Sequence, residues 1–332
     1  MTQKATGLVK SRMDAKGGAT QFSERPPFPR NVNIELNNVC NHACRFCAYP
    51  LMEREHGNID TAMLEQWLAD AYRLGSREIG LHSGAEPFAS KQLEHFVAYC
   101  KKVGYEYIYI STNASLANPV RMAAVIDAGI DSIKFSINAG DRETYLKVHG
   151  NDHFDRVLEH LRFASTYRGA GKKPYLAISF VVTRDNEHTV EALRELTREL
   201  VDEFIPLRET NSSGQLPREG ERALKAKDVC AIPFNKLHIS WEGYMRVCCN
   251  DYENVLAVED LRKVSLEEAF YGDRFTDFRR RHLEDRLEGS LCFNCKYDCK
   301  TPIQPLNPEL YFTTHGSDKG PPATYSPIIF RK

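Results

Sequence analysis

No stretch of this chain approaches the roughly 20 consecutive apolar residues that a membrane-spanning helix requires, so no such span is expected. Net charge is almost absent as well, since 44 Lys and Arg against 45 Asp and Glu leave −1. A balance of that kind offers no overall basic field for a phosphate backbone, so neither nucleic acid nor a membrane surface is expected as a partner. The first 30 residues lack the apolar core of a signal peptide. They carry Lys4, Lys10, Arg12, Asp14, Lys16, Glu24, Arg25 and Arg30 and end in Pro26, Pro27 and Pro29. They read as a mobile arm (1–30) on a cytoplasmic protein. Internal repeats and low-complexity tracts are also missing.

The chain does have length and alternation. Its 332 residues exceed the ~250 to 300 at which single cores stop growing, so one large domain with a small appended one is expected. From residue 31 short apolar runs alternate with helix-period segments, the pattern of strand-helix units on a parallel sheet. Strands are predicted at 32–36, 77–82, 106–111, 131–137, 174–182 and 203–208. Met63, Leu64, Trp67, Leu68, Ala71 and Leu74 keep helical spacing, as do Phe154, Val157, Leu158 and Leu161, and then Val190, Leu193, Leu196 and Leu200. Six such units over 31–208 are too few for a closed (β/α)8 barrel. They predict an α/β fold with a partial (β/α)6 barrel, its site at the C-terminal strand ends. Residues 209–227 turn polar and read as a linker. Beyond it, 236–241 and 244–249 flank Glu242-Gly243, a hairpin signal. A helix is predicted near 265–284, and a tail over 306–332.

Ten cysteines without an export signal point to metal rather than disulfides. Nine fall into three groups: Cys40, Cys44, Cys47; Cys230, Cys248, Cys249; and Cys292, Cys295, Cys299. Cys100 stands alone in an amphipathic stretch and reads as a small core residue. The first group directly follows the first strand. Three thiolates so close together can ligate three irons of a cubane cluster and leave the fourth open. A zinc site that recruits His42 is the alternative for the same residues.

Cys40-x3-Cys44-x2-Cys47, with Phe46 before the last cysteine, resembles the signature of the radical S-adenosylmethionine (radical SAM) superfamily. The resemblance implies that the open iron of a 4Fe-4S cluster binds S-adenosylmethionine. Reduction by an external one-electron donor such as flavodoxin or ferredoxin then cleaves the cofactor to a 5'-deoxyadenosyl radical, which abstracts hydrogen from substrate. Ser83-Gly84-Ala85-Glu86-Pro87 resembles the GGEP segment of that superfamily, with Ala85 in place of a glycine. Small residues there let carbonyls approach the methionine ammonium, and Glu86 adds an acceptor. Ser111-Thr112-Asn113 resembles a Thr-Asn-Gly segment of relatives, with Ala114 in place of glycine. Alternation on the fourth strand turns Lys134, Ser136 and Asn138 inward. Cofactor contacts are therefore expected from Phe46, Ser83, Gly84, Ala85, Glu86, Asn113, Ser136 and Asn138. His82, Glu35 and Tyr109 are further residues that could face the cavity, or serve the core.

Cys230-x12-Gly243-x4-Cys248, followed by Cys292-x2-Cys295, resembles the SPASM/twitch extension of the superfamily. The full SPASM pattern continues with a cysteine beyond Cys299, and there is none here. The shorter twitch type is thus expected over 228–305, a small α+β domain with one auxiliary 4Fe-4S cluster ligated by Cys230, Cys248, Cys292 and Cys295. Two cysteine pairs are also a zinc-ribbon pattern. Cys299 is spare. Cys249, turned away from Cys248 if the strand continues, could be an alternative ligand, a buried thiol, or a catalytic hydrogen-atom donor.

Relatives with these domains include peptide maturases, sugar and aminocyclitol dehydrogenases, and epimerases. The short arm before the barrel is not long enough to fold as a leader-peptide recognition domain. The substrate is therefore expected to be a polar small molecule such as a sugar or aminocyclitol, a carbohydrate-like compound oxidised or epimerised at a carbinol carbon. A peptide-modifying enzyme with a separate recognition protein is the alternative, and a zinc-binding or electron-transfer protein is the alternative of another class.

Overall fold

The computed structural model of the chain describes residues 8–12, 20–216 and 229–316. Six parallel strands form where the apolar runs predict them: β1 (Asn31–Ile34), β2 (Glu78–Gly80), β3 (Tyr107–Thr112), β4 (Ser132–Ser136), β5 (Tyr175–Val182) and β6 (Glu203–Arg208). Each pairs with its sequence neighbour. The helices between them are α1 (Thr61–Arg73), α2 (Leu93–Val103), α3 (Pro119–Asp127), α4 (Arg142–His149), α5 (Phe154–Tyr167) and α6 (Val190–Thr197). In α1, Leu64, Trp67, Leu68 and Ala71 recur at helical spacing and are buried, and Asp60 starts the helix by accepting the Met63 N–H at 2.9 Å. On β4, Ile133 and Phe135 are fully buried in the core, while Lys134 and Ser136 are partly exposed on the other face. That face is the inner wall of a partial, open barrel.

The sheet continues past the sixth unit. Strand β7 (Lys236–Ile239) pairs in parallel with β1, on the side away from β2, in the register Asn31↔Lys236 to Ile34↔Ile239. Strands β8 (Tyr244–Arg246) and β9 (Ala257–Asp260) follow antiparallel, so one nine-stranded sheet runs β6-β5-β4-β3-β2-β1-β7-β8-β9. The hairpin read from Glu242-Gly243 is therefore an extension of the barrel's own sheet. Gly243 has φ +89°, and a Cβ there would meet the Trp67 ring at 2.7 Å, so only glycine lets the turn sit on α1.

Short helices α7 (Ile232–Asn235), α8 (Leu266–Tyr271), α9 (Asp273–Leu283), α10 (Leu291–Tyr297) and α11 (Pro308–His315) complete the described chain. The helix expected over 265–284 is broken in two. Gly272 is extended (φ −64°, ψ 161°) and serves as the N-cap of α9, while a capping box at Ser265 and Glu268 starts α8. Strand β9 and α7 were not signalled by periodicity because each is only four residues long.

Residues expected in a mobile arm make specific contacts. The N–H groups of Val9 and Lys10 donate to the Glu203 carboxylate at 2.9 and 3.0 Å. Arg12 donates to Glu78 at 2.8 Å and lies 3.8 Å over the Tyr107 ring. Glu78, Tyr107 and Glu203 each open a strand, so residues 8–12 cover the N-terminal end of the barrel. Further on, Phe28 meets Phe270 edge-on at 5.2 Å. Of the expected linker, residues 209–216 pack on the C-terminal region, where Asn211 donates to Asp298 at 2.7 Å and Gln215 to the Asn250 carbonyl at 2.9 Å. The rest of the linker and residues 317–332 of the tail lie outside the described residues.

One buried ion network joins the halves of the sheet. Glu35, just past β1, receives Arg54 at 2.8 Å and lies 3.3 Å from Arg246 of β8; all three are 3% exposed or less. Arg54 also meets Glu242 in the hairpin turn at 2.7 Å. Breaking a buried pair by removing one partner typically costs about 3 to 5 kcal/mol. Arg54→Met, which leaves both Glu35 and Glu242 short of a cation, should lower the denaturation midpoint by a loss of that order. Urea unfolding of the two proteins checks this, and an unchanged midpoint would remove the network from the stability of the fold.

Candidate active site and its two cysteine groups

The loop after β1 carries Cys40, Cys44 and Cys47, all partly buried and unpaired. It is held from two sides. The N–H groups of Ala43 and Arg45 donate to the carbonyls of His149 and Val148 at the end of α4, at 3.1 and 3.0 Å. On the other side, Cys40 N–H donates to the Tyr49 hydroxyl at 2.7 Å. Each thiol has a polar neighbour: Asn113 Nδ2 lies 3.9 Å from Cys40 Sγ, His149 Nδ1 3.2 Å from Cys44 Sγ, and the Tyr252 hydroxyl 3.4 Å from Cys47 Sγ. Burial, with the nearby Glu86 charge, pushes Cys40 up to about 12, and burial beside Cys47 and Cys40 pushes Cys44 up too. Thiols of this kind must lose protons when they bind metal.

The segment after β2 lies against this loop, since Glu86 N–H donates to the Val39 carbonyl at 3.0 Å. Gly84 has φ +65°, and a Cβ there would lie 3.4 Å from both Glu35 and the Tyr252 ring. Ser83 Oγ is buried and makes no hydrogen bond among the described residues. Ala85 is partly exposed. Glu86 differs from expectation: Oε1 accepts from Thr112 Oγ1 at 2.6 Å and Phe88 N at 3.0 Å, and Oε2 from Asn113 N at 2.7 Å. Its carboxylate thus ties the end of β3 to the β2 loop. Ala114, where relatives have glycine, sits at φ 60°, in the left-handed region that glycine occupies more readily.

Phe46 packs edge-on against His149, with centroids 6.0 Å apart. Ser136 lies in a row of hydroxyls across the inner wall, 3.3 Å from Ser111 on β3 and 3.4 Å from Ser179 on β5. Asn138 is 1% exposed and committed to the fold, because its Oδ1 accepts Val181 N–H at 2.7 Å and its carbonyl accepts Asn186 Nδ2 at 2.9 Å. Of the two residues read as possible cavity contacts beside Glu35, Tyr109 is partly exposed and donates to Asn31 at 2.9 Å, and its ring meets His82 edge-on at 5.4 Å. Glu35 itself belongs to the ion network.

Cys230, Cys248, Cys292 and Cys295 come together as a second group. Cys292 and Cys295 lie on α10, Cys230 just before α7, and Cys248 just past β8. Cys292 lies in the field of Cys230 and Cys295, and Cys248 in that of Cys292. Alternation along β8 would turn Cys249 away, but the strand ends at Arg246 and the chain turns, with Asp251 N–H donating to the Cys248 carbonyl at 3.4 Å. Cys249 consequently joins the group. A hydrogen bond from Cys248, aided by the charges of Lys236 and Arg246, pulls the Cys249 thiol below its ordinary value. Cys299 stays at the end of α10, donating to Asn294 at 3.4 Å, and Cys100 is a fully buried core residue on α2.

Residues that sequence reasoning missed are Tyr252, His149, Lys236 and Ser213. Tyr252 and His149 reach the first group as described, Ser213 hydrogen-bonds Cys295, and Lys236 bonds Tyr109 while lying near Cys248 and Cys249. None lies within a motif, and only the fold brings them to the thiols.

Comparison with known proteins agrees with this geometry. The radical SAM superfamily profile matches residues 34–204, and the iron-sulfur cluster-binding SPASM profile matches residues 230–296. The chain belongs to the radical SAM superfamily and carries a C-terminal SPASM domain. The two domains imply a 4Fe-4S cluster, S-adenosylmethionine and an auxiliary cluster as the groups that such a chain holds. The chain is 32% identical over 202 residues to a probable GTP 3',8-cyclase of Saccharolobus islandicus (strain M.14.25 / Kamchatka #1), covering 60% of this chain and 61% of that one. A probable GTP 3',8-cyclase of Metallosphaera sedula is 30% identical over 182 residues, 52% of this chain and 54% of the relative. The match thus spans about three fifths or less of these relatives. Among solved structures, BtrN in complex with AdoMet and 2-DOIA aligns with a TM-score of 0.56 at 20% identity, over 84% of this chain and 98% of BtrN. Streptococcus suis SuiB bound to precursor peptide SuiA aligns with a TM-score of 0.66 at 15% identity, over 89% and 76%. No helix among the described residues is long and apolar enough to cross a membrane.

His42, Cys44 and His149 together could also hold a single metal ion, their ligand atoms lying within 4.8 Å of one another. The Nε2 atoms of both rings have other neighbours, His149 Nε2 facing Asn138 N–H at 3.3 Å and His42 Nε2 facing His153 at 3.2 Å, while Nδ1 of His149 faces Cys44 and Nδ1 of His42 is buried without a hydrogen bond among the described residues. Three cysteines with a donor beside each fit a cluster better than they fit zinc.

Glu86 generates a pH prediction. Burial raises its pKa from 4.5 to about 7, against the pull of its three hydrogen bonds. A raised acid pKa means that the folded state holds the proton more tightly, so this contribution to stability is complete below 4.5 and is lost as pH rises through about 7. Glu86→Gln should flatten that part of the stability-pH curve. It should also lower stability by about 1 to 3 kcal/mol, because an amide N–H2 then confronts backbone donors. Denaturation midpoints of both proteins across the range decide it, and parallel curves would refute the assignment.

Proposed function

We propose that this enzyme oxidises a hydroxyl-bearing carbon of a polar small molecule, a sugar or aminocyclitol, held on the inner wall of the barrel between its two cysteine groups. In this reading Cys40, Cys44 and Cys47 ligate the cluster that works with S-adenosylmethionine. Cys230, Cys248, Cys292 and Cys295 ligate the auxiliary 4Fe-4S cluster, and an external flavodoxin or ferredoxin supplies electrons. Bound together, the first cluster and its cofactor supply a hydrogen-abstracting radical. Phe46, Ser83, Gly84, Ala85 and Asn113 line the approach to it, and Glu86 and Asn138 brace those strand ends.

The observation that carries this reading is the continuity of the polar wall with the second thiol group. Ser111, Ser136 and Ser179 offer hydroxyls in a row, and Tyr109 and Lys134 are partly exposed beside them. Lys236 bonds Tyr109 on that wall and lies in the field of Cys249 and Cys248. Such a wall suits a substrate rich in hydroxyls, and oxidation needs an electron acceptor beside it, whereas epimerisation needs a hydrogen-atom donor. Cys249 sits among Cys248, Cys230 and Cys295. That company supports a place with the ligand thiols over a donor role.

Two measurements test the reading. Anaerobically reconstituted protein given dithionite and S-adenosylmethionine should release 5'-deoxyadenosine, and Cys40→Ala, Cys44→Ala or Cys47→Ala should each abolish release; undiminished cleavage in any of them refutes the ligand set. Cys230→Ala or Cys295→Ala should lower iron by about half while cleavage survives. For the outcome, Cys249→Ser with unchanged iron should form the same ketone as the wild type in deuterated water. A wild-type product that carries one solvent deuterium, lost in the variant, would make Cys249 a donor and the enzyme an epimerase. Turnover of peptides alone would overturn the choice of substrate.

A further inference from the structure

We infer that His149 and Tyr252 raise the reduction potential of the cluster at the first cysteine group by donating hydrogen bonds to the thiolates of Cys44 and Cys47. The inference rests on the ligand roles proposed above for Cys40, Cys44 and Cys47.

The direction of the first bond follows from what surrounds the histidine. Its Nε2 faces two groups of Asn138, the backbone N–H and the side-chain Nδ2, each at 3.3 Å. Both are donors, so Nε2 is the acceptor and the ring proton sits on Nδ1. Nδ1 lies 3.2 Å from Cys44 Sγ. A ligating thiolate carries no proton and can only accept, so the bond runs N–H to sulfur. The ring has little room to turn away: it is 1% exposed, stacked on Tyr145 at 4.2 Å and met edge-on by His42 at 5.3 Å.

Tyr252 delivers the second bond from the far end of the sequence, 205 residues beyond Cys47. Its hydroxyl lies 3.4 Å from Cys47 Sγ, and toward a thiolate it has only the donor role. The residue is fixed at both ends, since its carbonyl accepts Arg54 Nε at 2.5 Å and its ring lies against Gly84. Hydrogen bonds to cluster sulfurs stabilise the more negative, reduced state and are among the recognised determinants of potential. The Tyr49 N–H, 3.4 Å from the same sulfur, is a backbone group and survives any side-chain change at 252. The C-terminal region therefore adjusts the cluster of the barrel directly, and Tyr252 is a positioning residue for the electron rather than a contact for substrate.

The test is a redox titration of the full-length, reconstituted protein followed by electron paramagnetic resonance, using the signal that changes when S-adenosylmethionine is added. Tyr252→Phe deletes one hydroxyl and should lower the equilibrium constant for reduction about tenfold, which is about 59 mV for a one-electron couple, with iron content and signal amplitude unchanged. His149→Gln keeps an acceptor for Asn138 and a donor for Cys44 and should stay near the wild type, whereas His149→Phe should fall as Tyr252→Phe does. An unmoved potential in both phenylalanine variants with full iron would overturn the inference. Loss of metal from Tyr252→Phe would overturn it as well, because the residue would then be holding the loop rather than tuning it. A wild type with no signal that responds to S-adenosylmethionine would instead defeat the ligand assignment on which the inference stands.

Discussion

The buried carboxylate of Glu35 is the constraint from which the rest of the site follows. It stands at the end of β1, the strand at which the barrel meets the C-terminal region, with β2 on one side and β7 on the other. Two arginines converge on it from different segments, Arg54 from the loop after the first cysteines and Arg246 from β8. A charge so deeply buried is tolerable only when its partners are in place. Correct seating of the cysteine loop and of the hairpin is therefore required by the same ion network.

That coupling ties the segments that carry the two thiol groups to one framework. Arg54 holds the Tyr252 carbonyl as well as Glu35, and Tyr252 reaches Cys47. Arg246, in turn, donates to the Asp251 carbonyl at 2.7 Å in the turn that follows Cys248 and Cys249. Lys236 joins the inner wall to the same turn. Each link is short and polar and excludes a loose hinge between barrel and extension, because the sheet itself passes without a break from β1 to β7.

Where local chemistry decides, the sequence was readable. The thiols expected at the first cluster lie in one compact loop, so Cys40, Cys44 and Cys47 announce themselves by spacing. The alternation of Ile133 and Phe135 with Lys134 and Ser136 is likewise local, and burial follows it residue by residue. Alternation failed at Cys249 for an equally physical reason, since a period of two holds only while the strand lasts and β8 ends at Arg246. The charged N-terminal residues read as an arm because the partners of Val9, Lys10 and Arg12 lie at Glu203 and Glu78, far along the chain. Glu86 read as a free acceptor because its three donors, on Phe88, Thr112 and Asn113, include two from the end of another strand.

By itself, then, the sequence determined the family, the six strand-helix units and the grouping of the cysteines, because each is written in short-range spacing that a single loop or element carries. Only the tertiary structure decided that the C-terminal hairpin continues the barrel sheet, that Cys249 joins the second thiol group, that Glu86 and Asn138 brace strand ends, and that His149 and Tyr252 stand beside the first cysteines. Those outcomes depend on which distant polar groups meet when apolar faces are buried. A buried donor or charge takes whatever partner the packing brings within reach, and no local pattern names that partner in advance.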